Sequence, residues 1–166
     1  MNTDPATGGP EPTPHLHRYA TSLSWAGSTG VGYDAYQRDH TLTAPPAGQT
    51  LQLASDPAFL GSADLLNPEQ LLVAAASSCQ LLAFLAVAAR SRVDVIGYTD
   101  DATAVMPEED KPMRITRIEL HPVITVRGDV AADRLTRLVE LGHRECFIAN
   151  SLRSDVVVVP TFVRAD

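Results

Sequence analysis

The longest apolar run of the chain lies between residues 71 and 89. It follows Asn67, Pro68 and Glu69, which are residue types favoured at the N-cap, the first helical position and the positive first turn of a helix. The pattern predicts a helix from this cap to about Arg90. Because the helix is apolar on nearly all sides, most of its surface must be covered, and 166 residues offer limited material to do so. We therefore expect an obligate dimer in which two such helices are buried together.

This run also approaches the length of a membrane-spanning helix. Its centre, Ser-Ser-Cys-Gln at 77–80, is more polar, however, and seven of its residues are alanine. A buried helix of a soluble protein is the better interpretation, and we expect no membrane partner.

Alternation of apolar and polar side chains predicts strands on both sides of this helix. The last strand, at 155–163, shows little alternation, which indicates that it is buried. The predicted strands comprise residues 19–25, 33–42, 96–104, 114–127 and 155–163. Glycines between the first two strands indicate a hairpin. Residues 43–66 contain three prolines and no clear period, which predicts a long loop that packs over a site.

A second helix is predicted after Asp129, which would be its cap. Its apolar stripe comprises Leu135, Leu138, Val139, Gly142 and Cys146. Helices and strands together indicate an α+β fold in a single domain over residues 15–166, with no internal repeat. Residues 1–14 are rich in proline and almost free of apolar side chains, which predicts a disordered tail.

Charge and composition exclude some classes of function. The formal net charge is −7 and Lys111 is the only lysine, so a nucleic-acid surface is not expected. The first residues are acidic and lack the basic and apolar regions of a signal peptide, which favours a cytoplasmic location. Cysteines there are normally reduced, and a transient or catalytic disulfide is then more expected than a permanent one.

The side chains that could perform chemistry also have ordinary explanations. Cys79 and Cys146 both face inward on predicted helices, where a cysteine can simply be a small hydrophobic residue. His143 and Cys146 have helical spacing, but too few further ligands exist for a metal site. Arg38 taken alone is a solvated arginine in a strand, and Glu69 is a favourable first-turn acid. These residues by themselves establish only an α+β domain with two inward thiols.

Taken together, three motifs resemble the osmotically inducible protein C and organic hydroperoxide resistance (OsmC/Ohr) family. They are Asn-Pro-Glu-Gln-Leu-Leu at 67–72 with a cysteine ten residues after the glutamate, His-Arg-Glu-Cys-Phe-Ile-Ala-Asn-Ser at 143–151, and Tyr-Asp-Ala-Tyr-Gln-Arg-Asp-His at 33–40. The resemblance covers about residues 16–163 in matching order. Phe147 stands where the Ohr branch usually has proline, which points to the OsmC-like branch.

The resemblance implies a peroxidase that reduces organic hydroperoxides with two cysteines and without metal or haem. By position, Cys79 matches the peroxidatic cysteine and Cys146 the resolving cysteine, while Arg38 and Glu69 match the accompanying arginine and glutamate. Arg38 would stabilise the thiolate and the leaving oxygen, and Glu69 would hold the guanidinium. An external dithiol would reopen the resulting disulfide. The implied architecture is an intertwined homodimer with antiparallel sheets wrapped around two central helices.

Helix geometry adds one expectation. Glu69 and Cys79 are ten residues apart, or about 15 Å along one helix. We therefore expect Glu69 and Arg38 to act on Cys79 of the other subunit. The alternative function is a non-catalytic protein of the same fold that binds an apolar ligand or senses redox state.

Overall fold

The computed structural model describes residues 16–165, so the predicted disordered tail at 1–14 lies outside the described residues and stays a prediction. The helices are α1 (Pro68–Arg90), α2 (Ala132–Glu145) and α3 (Phe147–Ser151), with short 3-10 turns at Thr29–Val31 and Pro57–Phe59. The strands are β1 (Ser22–Ser24), β2 (His40–Thr43), β3 (Thr50–Leu53), β4 (Val95–Asp100), β5 (Thr103–Val105), β6 (Arg117–Leu120), β7 (Pro122–Arg127), β8 (Asp155–Val158) and β9 (Thr161–Ala165).

Helix α1 begins and ends where its sequence predicts. The Asn67 side chain accepts a hydrogen bond from the Gln70 N–H at 2.8 Å, and the Gln70 side chain accepts one from the Asn67 N–H at 3.1 Å. This reciprocal capping box satisfies two backbone donors that have no partner inside the helix. By length and composition alone α1 could cross a membrane, with a mean hydropathy of 2.1. In this fold it packs against α2, α3 and β4 instead.

Each of the three predicted strands after α1 is divided into two shorter strands. β4 and β5, β6 and β7, and β8 and β9 are consecutive pairs, and one member of each pair lies in the sheet β4-β7-β9 and the other in β5-β6-β8. The pairing register of β4 with β7 continues in that of β5 with β6 across the break between the two sheets. Asp100 lies opposite Pro122, and Thr103 lies opposite Glu119. The sequence therefore predicted these strands correctly but did not reveal the break between their halves. The predicted burial of the last strand is wrong for the single chain, because no residue of β8 or β9 is buried. The residues predicted on one face of the fourth strand are all buried: Ile118, Leu120, Ile124 and Val126.

The expectation of antiparallel sheets is wrong for the last strand pairs. β8 runs parallel to β6, and β9 runs parallel to β7. Parallel neighbours need a long crossover connection, which α2 and α3 provide between residues 127 and 155. The sheets β4-β7-β9 and β5-β6-β8 therefore each contain one antiparallel and one parallel pair of strands.

The N-terminal sheet β1-β2-β3 corrects two further predictions. β1 and β2 pair as the predicted hairpin, but β2 begins only at His40, so Arg38 lies before the strand rather than in it. The segment 43–66 is not one long loop, because β3 pairs with β2 and a 3-10 turn follows it. Leu51 and Leu53, which alternate with polar neighbours, were the signal for β3.

The second helix begins later than predicted. Its N-cap is Ala131, which makes no side-chain capping bond, and Asp129 instead forms an ion pair with Arg164 at 3.1 Å. The helix ends at Glu145, so Cys146 follows α2 rather than belonging to it and is at once the N-cap of α3. This junction decides the position of the second thiol.

Candidate functional site: a pair of thiols between α1 and α3

The structure brings Cys79 and Cys146 together. Cys79 lies in the middle of α1, and Cys146 lies at the junction of α2 and α3, which packs on α1. The backbone N–H of Ile148 donates to the Cys79 sulfur at 3.4 Å, and that of Ala149 donates to the Cys146 sulfur at 3.5 Å. Successive N–H groups at the start of α3 thus contact both sulfurs. Both cysteines are free thiols.

The two thiols differ in exposure. Cys146 is 1% exposed, whereas Cys79 is partly exposed and lines an open groove. Burial raises the pKa of the Cys146 thiol to about 11; the Ala149 N–H opposes this rise, and neighbouring Cys79 adds to it. At neutral pH Cys146 is therefore a protonated thiol that solvent and large reagents do not reach. The accessible sulfur is that of Cys79.

The buried Cys146 thiol should make stability depend on pH. The pKa of this thiol is raised from an ordinary value of 9.0, which applies to the unfolded chain, to about 11 in the folded chain. Folding therefore favours the protonated form. This contribution is fully present below the unfolded pKa and is lost as the pH rises through the folded one. Under reducing conditions, the free energy of unfolding of the wild type should fall by about 2 kcal/mol more than that of Cys146→Ser over this range. Denaturant titrations of both proteins test this, and parallel curves would contradict it.

The groove beside Cys79 contains residues that the sequence did not single out. It has a volume of about 670 Å³ and an apolar wall along α1. Its lining residues include Leu82, Ala83, Ala86, Phe147, Arg90 and Arg144. Arg90 forms an ion pair with Glu145. The helical spacing of Cys79, Ala83 and Ala86 could have indicated this wall, but the two arginines line one groove only because α2 packs on α1.

Arg38 is held by several contacts and does not line the Cys79 groove of its own chain. Its guanidinium donates to the backbone oxygens of Tyr36 at 2.8 Å and Tyr33 at 2.7 Å. The same group lies 4.0 Å from the centre of the Tyr36 ring, within cation–π distance. The turn before β2 therefore holds the charge in one place. Residues 33–36 form a turn followed by a bend here, not a strand.

Arg38 and Glu69 line one cavity of about 380 Å³, together with Trp25, Tyr36, His40 and Phe59. No ion pair joins them within the described part of the chain. Cys79 does not line this cavity, and neither Arg38 nor Glu69 lines the Cys79 groove. Within one chain, the four predicted site residues therefore form two separate pairs. The contact of Phe59 with this cavity agrees with the prediction that segment 43–66 packs over a site.

His143 does not point to a metal site. Its Nδ1 lies 3.3 Å from the Oε1 of buried Gln80, on the opposite helix. Among residues 16–165, no three His, Cys, Asp or Glu side chains come close enough together to hold a metal ion.

Comparison with known proteins decides the family. The sequence model of the OsmC-like protein family matches residues 61–160, which include both cysteines and all of α1 and α2. The chain belongs to the OsmC family. A search of curated proteins found no match to the sequence.

Solved structures of the OsmC family share the fold described above. An OsmC-like protein of unknown function from Vibrio cholerae has 28% sequence identity and a TM-score of 0.80, covering 88% of this chain and 100% of its own. An organic hydroperoxide resistance protein from Elizabethkingia anophelis has 19% identity and a TM-score of 0.67, covering 91% and 99%. OhrB of Bacillus subtilis has 18% identity and a TM-score of 0.58, covering 90% and 100%. The last two, at this identity, support the fold alone.

Proposed function

We propose that this OsmC family protein is a thiol-dependent peroxidase that reduces organic hydroperoxides to alcohols. The observation that carries the proposal is the asymmetry of the thiol pair. Cys79 lines an open groove, and beside it Cys146 is a buried, protonated thiol. A two-cysteine peroxidase needs one sulfur that the peroxide can reach and a second that waits beside it.

The chemistry runs in three balanced steps. The Cys79 thiolate attacks one oxygen of the hydroperoxide, the O–O bond breaks, and the leaving alkoxide takes a proton to become an alcohol. Cys79 is then a sulfenic acid. The Cys146 thiol condenses with it, so that a disulfide forms and water leaves. An external dithiol exchanges with this disulfide and restores both thiols.

We assign the charge stabilisation in the first step to the other subunit of a homodimer. Arg38 would stabilise the thiolate and the developing charge on the leaving oxygen. Glu69 lines the same cavity and would add a negative charge there, while Tyr33 and Tyr36 hold the guanidinium in place. Neither residue lines the Cys79 groove of its own chain, which supports this assignment, as do the contacts that hold Arg38 in place.

An exposed apolar stripe on α1 supports the homodimer. One face of α1 is solvent-exposed in the single chain: Ala74, Ser78, Leu82, Leu85, Ala86 and Ala89. Leu82 is 63% exposed. Contiguous apolar surface of this kind marks an interaction site, and a twofold pair of α1 helices would cover it with the same stripe. Because Leu82 and Ala86 also line the Cys79 groove, the second chain would then form part of the wall of that groove.

Leu82→Asp should therefore produce monomers. The charge would be buried without a partner in the dimer, whereas in the single chain it faces water. Light scattering should give twice the chain mass for the wild type and one chain mass for Leu82→Asp. The matched control is Arg137→Asp, on the exposed surface of α2, which should stay dimeric. A monomeric wild type, or a dimeric Leu82→Asp, would contradict the dimer.

Titration of the reduced protein with an organic hydroperoxide tests the function. One equivalent should yield one equivalent of alcohol, consume both thiols and link Cys79 to Cys146, as peptide mapping by mass spectrometry would detect. The alternative is a non-catalytic protein that binds an apolar ligand, for which the aromatic cavity beside Arg38 offers a place. That alternative predicts unchanged thiols and no alcohol. The thiol pair favours the peroxidase, because binding alone needs no second sulfur.

A further inference from the structure

Gln80 is a buried polar residue at the centre of α1. It directly follows Cys79, is 1% exposed and faces α2. Its Oε1 accepts a hydrogen bond from the Nδ1–H of His143 at 3.3 Å, and its Nε2 has no hydrogen-bond partner among the described residues. A buried amide with an unpaired N–H is costly. An apolar side chain of similar length would avoid this cost, so stability alone does not explain a glutamine here.

The partner of Gln80 is tied to the second thiol. The backbone oxygen of His143 accepts a hydrogen bond from the Cys146 N–H at 3.2 Å. The Gln80–His143 bridge therefore joins the residue that follows Cys79 to the turn of α2 that leads directly into Cys146.

The bridge lies beside a close approach of the two helices. A Cβ atom on Gly142 would lie 2.9 Å from the Cα of Phe84, closer than real Cβ contacts. Gly142 precedes His143, and Phe84 lies one turn after Gln80. Packing thus sets the distance between α1 and α2, but it leaves rotation and sliding of the end of α2 less restricted. A directional hydrogen bond from His143 to Gln80 restricts these movements.

We propose that Gln80 and His143 are positioning residues that hold the Cys146 thiol against Cys79 for disulfide formation. Their role in catalysis rests on the proposed peroxidase function. The positioning itself does not, because it can be measured with any leaving group on Cys79. Loss of the bridge should slow attack on Cys79 by Cys146 while leaving the reactivity of Cys79 towards external reagents unchanged.

The test is a two-phase exchange with an aromatic disulfide that releases a coloured thiolate. In the first phase Cys79 attacks the reagent, forms a mixed disulfide and releases one aromatic thiolate. In the second phase the Cys146 sulfur, having lost its proton to the buffer, attacks the Cys79 sulfur and displaces the second aromatic thiolate. The first-order rate of the second phase reports how well Cys146 is positioned. Cys146→Ser identifies the phases, because it should release only the first thiolate.

We expect Gln80→Met to slow the second phase about tenfold, the order of effect of one lost hydrogen bond, with an unchanged first phase. Its midpoint of unfolding should be equal to or higher than that of the wild type, because the unpaired amide is gone. His143→Leu should slow the second phase similarly, whereas His143→Asn, which keeps an N–H near the Nδ1 position, should recover most of the rate. The matched control is Val87→Ala, on the same helix and also buried, which should lower stability without slowing the second phase.

A second phase in Gln80→Met within twofold of the wild type would overturn the proposal. Equal slowing by Val87→Ala would also overturn it, since the rate would then follow stability. Equal rates for His143→Asn and His143→Leu would show that the hydrogen bond is not the cause. A failed hydroperoxide titration together with a slow second phase in Gln80→Met would reject the peroxidase function but support the positioning role of Gln80 and His143.

Discussion

Replacement of Cys79 by serine should lower hydroperoxide consumption to the uncatalysed rate. Serine keeps the size of the side chain, but its hydroxyl is not ionised at neutral pH and does not form the sulfenic acid or the disulfide. The neighbouring Cys146 cannot take over, because it is buried and its raised pKa, about 11, keeps it protonated. The measurement is consumption of an organic hydroperoxide with excess dithiol.

Cys146→Ser is the matched control for this prediction, since it removes the other thiol of the same pair. It should still react once per chain at the wild-type rate and leave a sulfenic acid on Cys79, which a carbon nucleophile such as a cyclic diketone would trap. Equal turnover by wild type and Cys79→Ser would reject the proposed mechanism. A trapped sulfenic acid on Cys146 in Cys79→Ser would reverse the order of the two cysteines.

Two inactive variants should restore activity when they are combined in one dimer. Arg38→Ala alone should lose about 10²–10³-fold in rate, the range for one preorganised charge at a reacting oxygen. In a heterodimer of Arg38→Ala with Cys79→Ser, the intact Cys79 of one chain would face the intact Arg38 of the other. With random exchange of subunits, about one quarter of the wild-type activity should return.

The arrangement of the same substitutions on one chain provides the control. A chain with both Arg38→Ala and Cys79→Ser, paired with wild type, should form an inactive heterodimer, since each Cys79 or Arg38 would lack its partner. A site contained within one chain predicts the opposite for both mixtures: no recovery in the first, and one working site in the second. Arg137→Ala, on the exposed face of α2, should have no effect in either mixture.

The first two strands and the thiol at the end of α2 show how far sequence patterns reach. The glycines between them correctly predict that these strands pair, and the structure places Leu23 opposite Leu42. The pattern wrongly extended the second strand back over Arg38. There the chain turns, and the backbone oxygens of Tyr33 and Tyr36 and the ring of Tyr36 contact the guanidinium. Alternation of apolar and polar residues does not predict such contacts.

The sequence correctly predicted that Cys146 is buried, but it did not predict that Cys146 lies between two helices. The apolar stripe of α2 correctly indicates that the residue faces inward, because burial follows helical spacing. The stripe does not show that the helix stops at Glu145 and that a second, short helix starts at once. That change of direction brings the N–H groups of Ile148 and Ala149 to the sulfurs.

The sequence by itself determined the bounds of α1, the inward direction of Cys146 and the motifs of the OsmC family, whereas Cys79, also expected to face inward, is partly exposed on a groove. Caps and periodicity depend on residues three or four positions apart, so they can be read along the chain. Only the tertiary structure decided that β6 and β8 run parallel, that Arg38 and its own Cys79 lie at different cavities, and that Gln80 meets His143. Such contacts join residues far apart in sequence, and they depend on how the packed helices and sheets approach one another, which no local pattern specifies.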